Sequence, residues 1–164
     1  MFSDEDRRIM ELVGDGDRVV ETAAAFDVTR IDAELVGASA QRKGLKPKGF
    51  WYGIGPGWLE FTIGEGGSIR NLYALRRGPL AVLRVEGPGD VAAMRAAGFM
   101  VPAPGEDYEL VDWSAVAARY GGFELAWHDR AWNERHGELW LSTYDAPSGC
   151  AWSRGVVTGA FAVG

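Results

Sequence analysis

The segment WHDRAWNERHGE, residues 127–138, is the densest group of side chains that could bind a metal or move protons. Histidine and carboxylate groups support both kinds of chemistry. The segment lacks the His-x-x-x-His spacing that places two ligands on one helix face, and Arg130 and Arg135 alternate with its acids. We interpret it as a charged surface loop and expect no metal. The alternative is a site built from its histidines and acids: His128, Asp129, Glu134, His136 and Glu138.

Cys150 is the only cysteine in the sequence, which excludes an internal disulfide and a multi-cysteine zinc site. A nucleophilic cysteine needs a neighbouring base or a setting that lowers its pKa, and PSGCAW supplies neither. We predict a small buried residue on a late strand. Ser148 lacks the Gly-x-Ser-x-Gly context of a hydrolase nucleophile.

The stretch KPKGFWYGIGPGW, residues 46–58, combines four glycines with four aromatic residues. Its glycines are interrupted by Pro56 and lead into no capped helix typical of dinucleotide binding, so a Rossmann site is not expected. In a strand, Phe50 and Tyr52 share one face and Trp51 lies on the other. Two interpretations stay open: a ligand site at Gly49–Tyr52, or a strand corner packed by its own aromatic residues.

The composition limits the classes of function. The chain of 164 residues is expected to form one domain, residues 1–164, and its net charge of −6 argues against duplex nucleic acid as the main partner. Seven tryptophans exceed the needs of a routine core, so we expect some to line a cleft. The charged N-terminus and the lack of a long apolar run predict a cytoplasmic protein without a membrane span.

Local patterns position these residues on a mixed set of elements. We predict a helix after Ser3, a strand near residues 30–36, and helices that begin after Asp90 and Asp112 and end at glycines. Further strands are predicted at GFWYGIG, at the pair LYALRR and LAVLRVE, and at GFELAW, ELWLSTY and CAWSRGVVTGAFAV. Repeated strand-helix alternation is missing, so the fold class is α+β with a mainly antiparallel sheet.

The two helices in the middle of the chain are expected to pack on one side of that sheet. Their apolar spacing predicts burial of four residues, Val91, Met94, Val116 and Tyr120. Trp113, just inside the second helix, should also be mostly buried.

Short motifs resemble two groups of proteins. KPKGFWYG followed by Trp58 is similar to the Lys-Pro-x-Gly-Leu-Trp signature of small bacterial and phage proteins, and VDWSAVAARYGGFELA and YDAPSGCAW are similar to their downstream segments. The same run also resembles the Gly-x-Gly-Phe-Tyr-x-Thr strand of ADP-ribosyltransferase-like toxins. Together the motifs extend over roughly residues 28–153.

The second resemblance implies a mono-ADP-ribosyltransferase, a toxin or phage effector that uses NAD in the cleft of a split antiparallel sheet. It implies that Arg30, on the first strand, holds a ribose or phosphate, and that Gly49, Phe50, Trp51 and Tyr52 shape the nicotinamide pocket. Glu124 would be the catalytic carboxylate, with Glu138 as the rival. The alternative function is a non-catalytic protein that holds a small ligand or a protein partner on a Trp-rich surface.

Overall fold

The computed structural model describes residues 3–22, 26, 29–67 and 69–163. Its ten strands are β1 (Arg18–Thr22), β2 (Lys43–Gly44), β3 (Phe50–Ile54), β4 (Asn71–Arg77), β5 (Val82–Val85), β6 (Met100–Pro102), β7 (Glu109–Asp112), β8 (Gly122–Leu125), β9 (Ser148–Ala151) and β10 (Val157–Ala162). Seven of them form one sheet in the order β10-β4-β1-β3-β9-β8-β5, and β2-β7-β6 form a smaller one.

Six α-helices accompany the sheets in the described part of the chain: α1 (Asp4–Glu11), α2 (Thr29–Glu34), α3 (Pro56–Gly64), α4 (Pro88–Ala96), α5 (Trp113–Ala117) and α6 (Arg130–His136). Short 3-10 turns occur at Ala38–Ala40 and Leu141–Thr143. Neighbouring strands are antiparallel except for β5 and β8, which are parallel. The predicted α+β class with a mainly antiparallel sheet is confirmed. No helix within the described residues is both long and apolar enough to span a bilayer.

One face of the large sheet is covered by the helices of the middle of the chain. Val85, Phe123 and Cys150 on this face belong to the same buried cluster as residues of α4 and α5. The predicted burial of Val91, Met94, Val116 and Trp113 is confirmed, while Tyr120 is only partly buried. Cys150 is buried on a late strand, as predicted.

The opposite face carries a second cluster that includes Val20, Phe50 and Tyr52. Because side chains alternate along a strand, Glu124 lies on this face while its neighbours Phe123 and Leu125 belong to the first cluster. The two faces of β8 therefore differ: one is apolar and the other carries a charge.

Two predicted strands are wrong. Residues 30–36 do not form a strand, because α2 covers Thr29–Glu34, and the strand of this region is β1 further upstream. ELWLSTY contains the 3-10 turn Leu141–Thr143, where the hydroxyls of Ser142 and Thr143 donate to the carbonyls of Leu139 and Trp140 three residues earlier. Such local bonds compete with strand pairing.

The predicted pair LYALRR and LAVLRVE forms both strands, β4 and β5, but they do not pair with each other. The connection between them instead bonds to a distant turn: the amides of Gly78 and Leu80 donate to the carbonyls of Val156 and Gly155. This contact draws β4 towards β10 and leaves β5 to pair with β8.

The expected charged loop at residues 127–138 contains helix α6. Asp129 caps it by accepting a hydrogen bond from the amide of Trp132, and Gly137 ends it with a positive φ of 70°. The helix has no buried residue, so the expectation of a charged, solvent-facing segment holds while that of a loop was wrong.

Candidate functional site

Strands β1 and β3 pair over a short distance only. Two residue pairs join them, Arg18 with Ile54 and Val19 with Gly53, whereas four pairs join β1 to β4. The next residues along the two strands, Val20 and Tyr52, line a cavity of about 190 Å³. The sheet therefore stops pairing where a cavity begins.

Half of the residues that line this smaller cavity are aromatic: Trp51, Tyr52, Trp58, Phe61 and Tyr144. The ammonium group of Lys46 lies 5.0 Å from the centre of the Tyr144 ring and 5.7 Å from that of Trp51. Ring faces attract cations through their negative electrostatic potential. This wall can therefore hold a flat ring or a cation.

A larger cavity of about 520 Å³ adjoins the smaller one. Both are lined by Phe61, Tyr144 and Asp145, so the two cavities are adjacent, and we call them together the aromatic cleft. Leu125 and Leu141 are the buried apolar residues of the larger cavity. Its size falls within the range of about 300–1,000 Å³ that is usual for small-molecule sites.

Acidic side chains outnumber basic ones around the larger cavity. Four carboxylates line it, Glu65, Asp129, Glu134 and Asp145, against one guanidinium, that of Arg130. Arg130 pairs with Glu134 at 2.9 Å, and Asp129 caps α6. The carboxylates of Glu65 and Asp145 have no hydrogen-bond or ion-pair partner in the described part of the chain. The larger cavity therefore carries negative charge that the protein itself leaves unpaired.

Two polar atoms of the larger cavity's lining residues are buried without a partner among the described residues. They are the Oδ1 atom of Asn133 and the hydroxyl of Tyr144. A buried polar atom without a hydrogen bond costs about 1–3 kcal/mol. Burial raises the pKa of Tyr144 well above its usual value, so its hydroxyl stays protonated at neutral pH.

A second polar constellation surrounds Glu124 on β8. Arg18 of β1 donates to its carboxylate from both Nε and Nη2, the latter at 2.7 Å. Arg84 of β5 donates from Nη1 at 2.6 Å, and the hydroxyl of Tyr52 donates at 2.9 Å. The Glu124 side chain is 1% exposed. We call these four residues the Glu124 network.

The arginines decide the charge state of this network. Burial by itself would raise the pKa of Glu124, but the hydrogen bonds and charges of Arg18 and Arg84, with the Tyr52 bond, more than offset it and lower the pKa below the usual value. Burial and the adjacent carboxylate raise the pKa of Tyr52 well above its usual value. At neutral pH the network therefore holds an ionised carboxylate and a protonated phenol.

Gly149 of β9 makes the network possible. It lies between Tyr52 on β3 and Glu124 on β8 in the register of the sheet. A Cβ atom at this position would collide with the Tyr52 ring. The tyrosine can therefore reach across β9 to the carboxylate only because residue 149 has no side chain.

The space beside two glycines of the predicted ligand stretch is filled by other parts of the chain. A Cβ atom at Gly49, which has φ of 151°, would collide with the carbonyl of Ala151, and one at Gly53 would collide with the Trp58 ring. Phe50 is 1% exposed within the core. The packed-corner interpretation therefore describes Gly49 and Phe50, whereas Trp51 and Tyr52 line the smaller cavity.

Arg30 and Glu124, the two residues predicted to act together, have different partners in the structure. Arg30 lies on α2 and not on a first strand; its side chain is 53% exposed and pairs with Glu34 at 3.0 Å. Among the described residues, the arginines that bond to Glu124 are Arg18 and Arg84. The rival carboxylate, Glu138, accepts a hydrogen bond from Arg95 at 2.8 Å.

Sequence reasoning missed Arg18, Arg84, Tyr144 and Asp145. The run RVVET, with two adjacent valines after the glycines at 14 and 16, could have indicated β1 and so its first residue, Arg18. Arg84 alternates with valine and leucine on β5, which marks it as facing away from the apolar cluster. Tyr144 and Asp145 follow a turn that the sequence pattern did not distinguish from a strand.

Comparison of the chain with family models, curated proteins and solved structures gives no match. A function must therefore be inferred from the geometry of the aromatic cleft and of the Glu124 network.

Proposed function

We propose that the protein binds a small molecule with a flat ring in the aromatic cleft, and that this ligand is NAD, held by its nicotinamide end. The observation that carries the proposal is the aromatic wall of Trp51, Tyr52 and Tyr144 beside the point where β1 and β3 cease to pair. Cys150 is a free cysteine, as is usual in the reducing cytoplasm, and this supports the cytoplasm as the location of the protein.

The charge of the cleft supports the nicotinamide end in particular. In oxidised NAD the nicotinamide ring is positively charged, and ring faces together with carboxylates attract cations. The Lys46 ammonium group lies against the Trp51 and Tyr144 rings, so these rings accept a cation, and the nicotinamide ring would take its place. Asp145 adds a carboxylate to both cavities that has no partner among the described residues. The acidic side chains of the larger cavity offer no such attraction to the negatively charged pyrophosphate of NAD.

A specific observation favours a second candidate, transfer of ADP-ribose from NAD. The Tyr52 side chain belongs to both constellations, since Tyr52 lines the smaller cavity and its hydroxyl donates to Glu124. Loss of nicotinamide leaves positive charge on the ribose, which a nearby ionised carboxylate stabilises. In this candidate Arg18 takes the part that the resemblance implied for Arg30, and a toxin or phage effector is the biological role.

Binding is tested by titrating the protein with NAD while tryptophan fluorescence is recorded. N-methylnicotinamide, which has the charged ring without phosphates, should compete, whereas ADP-ribose, which lacks the ring, should compete poorly. Trp51→Ala should weaken NAD binding by about 1–3 kcal/mol, the range for loss of an aromatic stacking partner. Phe161→Ala, at an exposed position of β10 outside both cavities, is the control. Unchanged affinity in Trp51→Ala would refute the proposal.

Turnover is tested separately by measuring release of nicotinamide from NAD. If the second candidate holds, Glu124→Gln should lose about two to three powers of ten in rate, as for other preorganised electrostatic groups. Tyr52→Phe keeps the ring in the cavity and removes the bond to Glu124, so it should bind NAD and turn it over more slowly. If the unmodified protein binds NAD but releases no nicotinamide, the binding proposal stands and the transferase candidate is refuted.

A further inference from the structure

We infer that Lys46 determines which ligands the aromatic cleft accepts, and that it favours a charged ring with a phosphate group over a charged ring alone. In the free protein its ammonium group occupies the ring faces, and in the complex it pairs with the pyrophosphate of NAD. This role rests on the proposed function, since it requires the nicotinamide ring at Trp51 and Tyr144, and it adds the residue that selects the ligand.

The ammonium group of Lys46 is the cation that the rings hold in the free protein. Its Nζ atom lies 5.0 Å from the centre of the Tyr144 ring and 5.7 Å from that of Trp51. It has no ion-pair or hydrogen-bond partner in the part of the chain that the structure describes. A positively charged ring that binds at these faces must displace the ammonium group, because two like charges at one site repel each other.

A ligand that consists of the charged ring alone gives the displaced ammonium group no new partner. Lys46 is exposed, so its ammonium group moves into water and loses its contact with both rings. The carboxylate of Asp145, which also lines the smaller cavity, is already engaged by the incoming positive ring. Displacement therefore weakens binding of such a ligand by about threefold, the size of a cation–ring contact at an exposed site.

A pyrophosphate supplies the missing partner. Among the described residues, Lys46 is the one lysine or arginine that lines the smaller cavity, and Arg130 of the larger cavity is already paired with Glu134 at 2.9 Å. A lysine side chain is a flexible stem with three donors, which suits phosphate oxygens. In NAD a single ribose separates the nicotinamide ring from the pyrophosphate, so the phosphates lie near the position that the ammonium group leaves.

The test compares two ligands in one variant, Lys46→Met, which keeps the length of the side chain and removes its charge. N-methylnicotinamide, the ring without phosphates, should bind about threefold more tightly because its competitor is gone. NAD should bind about threefold more weakly, since the loss of a hydrogen bond between two charged groups outweighs the loss of the competitor. The ratio of the two affinities should therefore shift about tenfold. Tryptophan fluorescence titration measures both affinities.

Lys48→Met is the matched control for net charge. Lys48 is exposed two residues further along the chain and lines neither cavity, so its removal should leave the ratio of affinities within about twofold. Lys46→Arg, which keeps the charge, should retain the preference for NAD. If Lys46→Met changes the ratio no more than Lys48→Met does, or changes both affinities in the same direction, the role of Lys46 is overturned.

Nuclear magnetic resonance tests the displacement itself. Protons above a ring face are shielded, so the εCH₂ protons of Lys46, assigned by their absence in Lys46→Met, should resonate upfield in the free protein. Saturation with N-methylnicotinamide should return them to ordinary positions. Binding that leaves these signals where they were would mean that the ring does not replace Lys46, and the inference would be refuted.

The outcome is separable from that of the NAD proposal. If the unmodified protein binds NAD and N-methylnicotinamide but Lys46→Met behaves as Lys48→Met does, the proposed function stands and the selective role of Lys46 is refuted. If the unmodified protein binds neither ligand at millimolar concentration, both the proposed function and this role are refuted.

Discussion

The Glu124 network and the aromatic cleft lie close together but treat their polar groups in opposite ways. In the network, the carboxylate accepts hydrogen bonds from Arg18, Arg84 and Tyr52 and is 1% exposed. In the cleft, Asn133 and Tyr144 each have a buried polar atom without a partner within the described residues. The first arrangement satisfies its polar groups within the chain, whereas the second leaves two buried polar atoms without a hydrogen bond.

This difference indicates where stability and recognition are located. A buried ion pair with every partner present is costly to break, because a charge is then left without compensation. A buried atom without a partner already carries its cost in the folded protein, so its removal breaks no hydrogen bond. Substitutions in the network should therefore affect folding first, and those in the cleft should affect ligand binding first.

The largest expected effect is that of Glu124→Gln on stability. The substitution keeps the size of the side chain but leaves Arg18 and Arg84 without their shared negative charge, so the free energy of unfolding should fall by about 3–5 kcal/mol. Urea unfolding followed by circular dichroism measures it. Glu138→Gln, which removes an ion pair with the more exposed Arg95, should cost at most about 1 kcal/mol. Equal losses of unfolding free energy in the two variants would contradict this expectation.

The same network predicts a dependence of stability on pH. The pKa of Glu124 is lower in the folded protein than its ordinary value, so its contribution is full above the ordinary glutamate range and is lost as pH falls through the folded-state pKa. The difference in unfolding free energy between the unmodified protein and Glu124→Gln should shrink towards zero in acid. Urea titrations at neutral pH and at several acidic values measure this difference, and a constant difference would contradict it.

A smaller loss is expected for Gly149→Ala. The added methyl group meets the Tyr52 ring and forces it away from Glu124, which should cost about 1–3 kcal/mol, as for other overpacked sites. Gly159→Ala provides the matched control, because this strand glycine of β10 has no atom within 4 Å of the added Cβ. Thermal unfolding should separate the two variants, and equal stability would show that the ring has room to move.

The smallest effects give the sharpest test. Replacing a tyrosine by phenylalanine should change the unfolding free energy with opposite signs in the two regions. Tyr52→Phe removes a hydrogen bond to a charged group and should lower the unfolding free energy by about 1–2 kcal/mol. Tyr144→Phe removes a buried hydroxyl without a partner, so stability should stay unchanged or rise by about 1 kcal/mol. Destabilisation by both to the same degree would remove the distinction between network and cleft.

Local patterns in the sequence predicted a large part of the fold. The helices at α4 and α5, the strand at Phe50–Ile54 and the burial of Trp113 and Cys150 follow from caps, glycine ends and apolar spacing. The α4 helix begins at Pro88, earlier than Asp90 suggested, because proline is favoured in a first helical turn. Failures occurred where hydroxyl groups or distant contacts override the pattern, as at Leu141–Thr143.

The candidate site was predicted only in part. Glu124, Trp51 and Tyr52 were singled out, and the last two line a cavity while Glu124 bonds to Tyr52. Arg30 was expected on a strand that is a helix in the structure, and the arginines beside Glu124 are two other residues, Arg18 and Arg84. A strand of five residues with one charged end has too little local pattern to be distinguished from its neighbours.

The sequence by itself determined which residues have the chemistry and which face of a short element they occupy, because side-chain alternation and helix caps depend on near neighbours. The tertiary structure alone decided which of them meet. Glu124 bonds to residues 40, 72 and 106 positions away. The register of β3, β9 and β8 aligns it with Tyr52 across Gly149, and the register of β8 and β5 places Arg84 beside it. Strand register depends on packing over the whole sheet, so no local segment contains that information.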